Sequence, residues 1–180
     1  MLGPNAVSSD NPNPSADMKL ISWHDSLSIG VPELDDQHRQ LIAICNRAIA
    51  GFADREGLRA VLSELREYTV KHFAAEEAHL DGIGYPQRAA HAQIHARLKR
   101  EVMDYQDALY RRRSVTSAEL RAFLKKWLID HILHADMAFQ RYAEERERER
   151  RARENALVLE GGGEGGGNGE NAEDDTHAAE

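Results

Sequence analysis

The 180-residue chain contains one cysteine, Cys45, so no disulfide can form within it. It contains no long uninterrupted apolar run, and no membrane-spanning helix is expected. Its first residues, MLGPNAVSSDNPNPSAD, lack a basic segment followed by an apolar core. They do not read as a secretory signal, and the expectation is a cytoplasmic protein. Cations are in deficit: 23 Lys and Arg stand against 31 Asp and Glu, a net charge of −8. With no basic excess and no basic amphipathic stretch, neither nucleic acid nor a membrane surface is an expected partner.

The acidic excess is concentrated at the ends. Residues 160 to 180 hold seven acids and no Lys or Arg, and residues 1 to 17 add Asp10 and Asp17. Residues 18 to 159 are therefore close to neutral. The two ends, 1–17 and the Gly-rich acidic stretch 161–180, are poor in apolar residues and are expected to be disordered. The run AEERERERRARE, Ala143 to Glu154, is almost fully charged and helix-prone, so residues 144–160 are expected to carry the last helix on into solvent. Residues 18–143 remain as one domain, in a chain whose 41% hydrophobic content is enough for a single core.

That domain shows helical periodicity four times. Leu34, His38, Leu41, Cys45 and Ile49 form one stripe, and Leu58, Leu62, Leu65, Thr69, His72 and Glu76 a second. The third runs His91, His95, Leu98, Val102, Tyr105 and Leu109; the fourth runs Leu120, Leu124, Trp127, His131, Ala135 and Phe139. Pro32 and Gly51 bracket the first helix, Pro86 precedes the third, and Thr116 with Glu119 predicts a capping box for the fourth. The fold class that follows is all-α, an antiparallel four-helix bundle. Cys45, seven residues after His38 on the inward face, reads as a small buried apolar residue rather than a reactive thiol.

Each stripe carries a histidine. A single histidine on an apolar face is usually a hydrogen-bonded core residue, but four at one level of a bundle would leave many ring nitrogens to satisfy away from water. A metal ion satisfies them together. His72 and Glu76 are four residues apart on one helix, as are His91 and His95 on another, so each pair can clamp an ion. The glutamate of H-E-x-x-H is missing, which excludes a zinc-protease motif. In HILHAD the residues leave two candidates: on regular α-helical winding His134, three residues after His131, is better placed than Asp136, five after it.

The segments LDDQHRQL, HFAAEE, YPQRAAHAQIHARL and WLIDHILHAD, in that order on four helices, closely resemble the hemerythrin family, in particular its single-domain bacterial members. The likeness covers about residues 20 to 142. It implies a hemerythrin-like bundle with an N-terminal arm, in which Trp23 takes part, and a non-haem di-iron centre with an oxo or hydroxo bridge as cofactor. The resemblance assigns His91, His95 and His131 to one iron and His38 and His72 to the other. Glu76 and Asp136 would bridge both, and it is the resemblance that selects Asp136 over His134. It further implies dioxygen as the ligand, taken up at the iron with two histidines, in an apolar pocket lined by Phe73, Trp127, Leu128 and Ile132.

The function so implied is reversible dioxygen binding for storage, delivery or sensing. The chain is then not an enzyme but a monomeric oxygen-binding protein, with the charged C-terminal extension as a site for a protein partner. The alternative of another class is a di-iron oxidase, peroxidase or nitric-oxide-handling enzyme. His79 completes EEAH, a Glu-x-x-His of the kind such oxidases use in pairs, but no second copy occurs on another helix. His79 is accordingly expected to be a polar residue near a helix end, and Glu77, about 100° around the helix from Glu76, to point away from the metal. His24 and His177 fall outside the pattern.

Overall fold

A computed structural model describes residues 20–111 and 115–161. The expected disordered ends lie outside the described residues, except that Gly161 closes the last helix. The described chain is all helical. The described residues fall into two compact units, one up to residue 141 and one from residue 142.

In the first unit α1 spans Pro32–Ala50, α2 Arg55–Gly82, α3 Arg88–Tyr110 and α4 Ser117–Lys125. The fourth rod then continues through two π-helical turns, Lys126–Asp130 and Ile132–Asp136, into α5, Met137–Gly161. Pro32 occupies the first turn of α1, where its missing N–H costs nothing. The Asp54 side chain caps α2 by accepting from Glu56 N at 3.1 Å. The capping box of α4 forms as predicted: Thr116 Oγ1 accepts from Glu119 N at 3.2 Å, and Glu119 Oε2 accepts from Thr116 N at 2.7 Å.

α1 packs on α2 and α4, and α2 on α3. Leu41, Ile44, Cys45, Ile49, Leu58, Leu62, Leu65, Leu120 and Leu124 are wholly buried, and full burial of each large aliphatic stabilises the fold by roughly 1.5–3 kcal/mol. Burial pushes the Cys45 thiol up to about 12, which makes it the inert core residue expected. Two residues of the third stripe differ from expectation. Leu98 and Tyr105 are only partly buried, while Gln106 takes a core position beside Ser63 at 3.4 Å.

The N-terminal arm is tied to α1. Asn46 bonds both backbone groups of Ile21 at 2.8 Å, Arg39 lies over the Trp23 ring at 4.3 Å, and buried Asp35 accepts from Ser28 Oγ at 2.6 Å and from Ile29 N at 2.8 Å. Gly30, at φ 74°, supplies the left-handed turn that brings the arm back into α1. In the second unit, residues 142–161 are helical and laced with exposed pairs such as Arg150 and Arg151 on Glu147. Such pairs stabilise a solvated helix only slightly.

Candidate metal centre

Chain direction explains why the histidines meet. His38 lies near the start of α1, His72 and Glu76 near the end of α2, His91 and His95 at the start of α3, and His131 and Asp136 in the fourth rod beyond α4, late in the part that belongs to the first unit. With successive helices antiparallel, all seven fall at one end of the bundle. Each is buried, and Glu76, Asp136, His38 and His95 are wholly inaccessible.

Two carboxylates organise the cluster. Glu76 Oε2 lies 3.1 Å from His95 Nε2, 3.6 Å from His72 Nε2 and 3.9 Å from His131 Nε2, with Oε1 3.4 Å from His91 Nε2. The two oxygens of Asp136 divide their contacts: Oδ1 faces His131 Nε2 at 3.2 Å and His91 Nε2 at 3.5 Å, whereas Oδ2 faces His38 Nε2 at 3.4 Å. Glu76 thus faces four imidazoles and Asp136 three: His91 and His131 face both, His72 and His95 face Glu76, and His38 faces Asp136.

The placement of Asp136 depends on the winding. In a π turn the backbone bonds from residue i to i+5, so residues five apart share a face. Both π turns lie in this stretch, and they bring Asp136 under His131. His134 is turned out to solvent, with Nδ1 2.8 Å from Asp130 O. The preference for His134 that regular winding suggests is thereby overturned.

The donor chemistry fits a cation. Glu77 Oε1 lies 2.8 Å from His95 Nδ1, and a carboxylate accepts, so a neutral ring with its proton on Nδ1 donates to Glu77 and turns the Nε2 lone pair inward. That lone pair lies 3.1 Å from Glu76 Oε2 and 3.2 Å from His131 Nε2. His38 Nε2, His72 Nε2, His91 Nε2 and the oxygens of Glu76 and Asp136 have no hydrogen-bond partner among the described residues. Buried acceptors converging in this way repel one another unless a proton or metal ion lies between them. The ligand atoms of Glu76, His91, His95 and His131 all fall within 4.8 Å of one another, a spread one ion can span.

Titration follows from burial. Desolvation holds His38 down at about 4 and His72 at about 3, against the pull of Glu76, and it lowers His131 as well. These rings are neutral at pH 7, the form that binds metal. Burial and the neighbouring Glu76 charge push Asp136 well above the usual carboxylate range. Burial also pushes Glu76 upward, but its contacts with His131, His91 and His95 win and hold it well below that range.

The apolar residues expected around the site are all buried. Phe73 stacks on His95 with centroids 3.8 Å apart and meets His131 at 5.5 Å; Trp127 lies 6.4 Å from Phe73 and donates from Nε1 to Leu98 O at 3.0 Å. A cleft of about 700 Å³ with Trp127 and His131 in its wall opens alongside α3. His79 lies outside the cluster, 5.9 Å from Phe139, and His24 is exposed. Two contacts escaped the sequence: Glu77 on His95, and Gln37 Oε1 on His72 Nδ1 at 3.0 Å. Each links residues from two helices, and the spacing along one helix carries no signal of it.

The family model of the Hemerythrin HHE cation binding domain matches residues 29–143. The chain belongs to the hemerythrin family. It is 35% identical over 124 residues to a bacteriohemerythrin of Stenotrophomonas maltophilia (strain R551-3), covering 68% of this chain and 80% of that one. It is 31% identical over 119 residues to a hemerythrin-like protein of Naegleria gruberi, covering 66% and 90%. A solved wild-type hemerythrin structure superposes with a TM-score of 0.62 at 28% identity, covering 68% of this chain and 96% of that one. The four-helix bundle of this hemerythrin therefore agrees with its relatives in fold as well as in sequence. No helix among its described residues is long and apolar enough to cross a membrane.

Proposed function

We propose that this hemerythrin holds two iron ions in the buried cluster and binds dioxygen reversibly, in storage, delivery or sensing. The observation that carries the reading is the division of Asp136, one oxygen toward His91 and His131 and the other toward His38, with Glu76 facing His72 as well as His91, His95 and His131. Five buried imidazoles and two buried carboxylates are more donors than one octahedral ion accepts.

In this reading His91, His95 and His131 hold one iron, His38 and His72 the other, and Glu76 and Asp136 span them. Imidazole and carboxylate together suit iron, which supplies the change of oxidation state that reversible dioxygen binding requires. The two-histidine position has fewer protein donors and so leaves room for a small ligand. Phe73, Trp127, Leu128 and Ile132 keep water out, and a dry site delays loss of the bound state by protonation. Glu77 is engaged on the outer nitrogen of His95 and is not aimed inward, so among the described residues no spare buried acid stands ready at the cluster to deliver a proton.

Anaerobic iron loading followed by an oxygen titration tests this. An absorption change that saturates with oxygen and reverses under vacuum is expected, with two irons per chain by elemental analysis. Rapid, continuing oxygen consumption in the presence of a reductant would instead identify an oxidase.

A further inference from the structure

Glu76 and Glu77 are adjacent in sequence and do different work. Glu76 is wholly buried and faces four imidazoles, whereas Glu77 is partly exposed and reaches across to α3, to the outer nitrogen of His95. On the other side of the cluster the equivalent place, behind His72, is taken by the neutral amide of Gln37 at 3.0 Å. One histidine group is therefore backed by a charge and the other by a dipole.

The difference bears on metal binding in two ways. A hydrogen bond to an ionised acceptor is roughly twice as strong as one between neutral groups. It fixes the tautomer and orientation of the ring and raises the donor strength of the inward nitrogen. The group it supports is also the more nearly assembled: Glu76, His91, His95 and His131 are already gathered within the span of one ion, and no such group containing His38 or His72 occurs among the described residues. A site that needs less rearrangement binds more tightly, because less ordering free energy is lost on binding.

We infer that the two metal positions fill in a fixed order, the three-histidine position first, and that Glu77 is the positioning residue that sets this order. The inference rests on the two-metal reading of the cluster. It also assigns Gln37 a role, since a neutral partner behind His72 leaves the two-histidine position the weaker of the two.

Cobalt(II) serves as the probe. Metal-free full-length protein is titrated with it anaerobically while ligand-field absorption and melting temperature are followed. Two phases of one cobalt each are expected, the first at least about tenfold tighter. Loss of such a supporting partner typically weakens metal binding roughly 10- to 100-fold, so Glu77→Gln, which keeps an acceptor but removes its charge, should weaken the first phase toward the lower end of that range and leave the second in place. Gln37→Glu should tighten the second phase and draw the two together. If Glu77→Gln lowers the melting temperature of the metal-free protein, Gln37→Glu decides alone, because it removes no packing. Two cobalt ions taken up by the unmodified protein in a single phase would overturn the order. Equal weakening of both phases by Glu77→Gln, or no tightening by Gln37→Glu, would overturn the roles of these residues. Uptake of one cobalt or none would overturn the two-metal reading itself.

Discussion

α2 and the fourth rod perform the same task with different windings. Each presents a histidine and a carboxylate to the cluster. On α2 they are His72 and Glu76, four residues apart on a regular α-helix; on the fourth rod they are His131 and Asp136, five apart across π turns. The resulting contacts are alike, 3.6 Å in the first pair and 3.2 Å in the second. The lesson is that a spacing points to a shared face only once the winding is known. The irregular turn lies where the chain must aim Asp136 inward, as π turns at functional sites commonly do.

The largest expected effect comes from removing either carboxylate. Glu76→Ala and Asp136→Ala should each release metal, and the stabilisation that metal confers, on the order of 4 kcal/mol when the ion is present at about a thousand times its dissociation constant, should go with it. Elemental analysis and melting of loaded protein check this. If one variant kept both ions, the parity between the two pairs would break.

Acid should come next, acting on the metal-free protein. His38 at about 4 and His72 at about 3 lie below the ordinary histidine value of 6.5, so the unfolded chain takes up protons first. Their contribution is complete above pH 6.5 and is lost progressively as pH falls from 6.5 to about 4 for His38 and about 3 for His72, on the order of a few kcal/mol. His131 and Glu76, also lowered, act in the same direction, while Asp136, raised, opposes them. Denaturant midpoints in the presence of a chelator should therefore fall between pH 7 and pH 4.5. A flat profile would show that these rings are not held neutral by burial.

A smaller effect separates the fold of the fourth rod from its site. Thr116→Ala removes the capping box of α4 and should cost about 1 kcal/mol. Metal content should not change, since the cap lies far along the chain from the π turns. Thermal melting with metal analysis reads both.

The smallest effect sharpens the comparison most. His134→Ala should leave metal content intact, because that ring faces solvent. Deleting His134 altogether shortens the spacing of His131 and Asp136 to four, which a regular α-helix turns onto one face as it does on α2. This variant should also retain metal. Loss of metal from the alanine variant would put His134 back among the ligands.

Much of the molecule was legible in residue types and their order. Pro32, and Thr116 with Glu119, mark helix starts because the first amides of a helix need an acceptor or no hydrogen at all. The leucine and isoleucine stripes mark the inward faces, and Leu98, Tyr105 and Gln106 show how far a stripe can mislead when a helix borders an open cleft. The histidine on each stripe disclosed the cluster, since buried imidazoles need partners.

By itself, then, the sequence determined what is local: where helices begin, which face of each is apolar, and that four faces carry metal-binding side chains. Tertiary structure alone decided the rest. Regular spacing favours His134 and the family resemblance selects Asp136, but the side-by-side placement of Asp136 and His131 comes with the π turns of the folded rod. Glu77 meets His95 across 18 positions, and Gln37 meets His72 across 35. Such contacts depend on which helices are neighbours and at what height, and that is fixed only when the whole core closes.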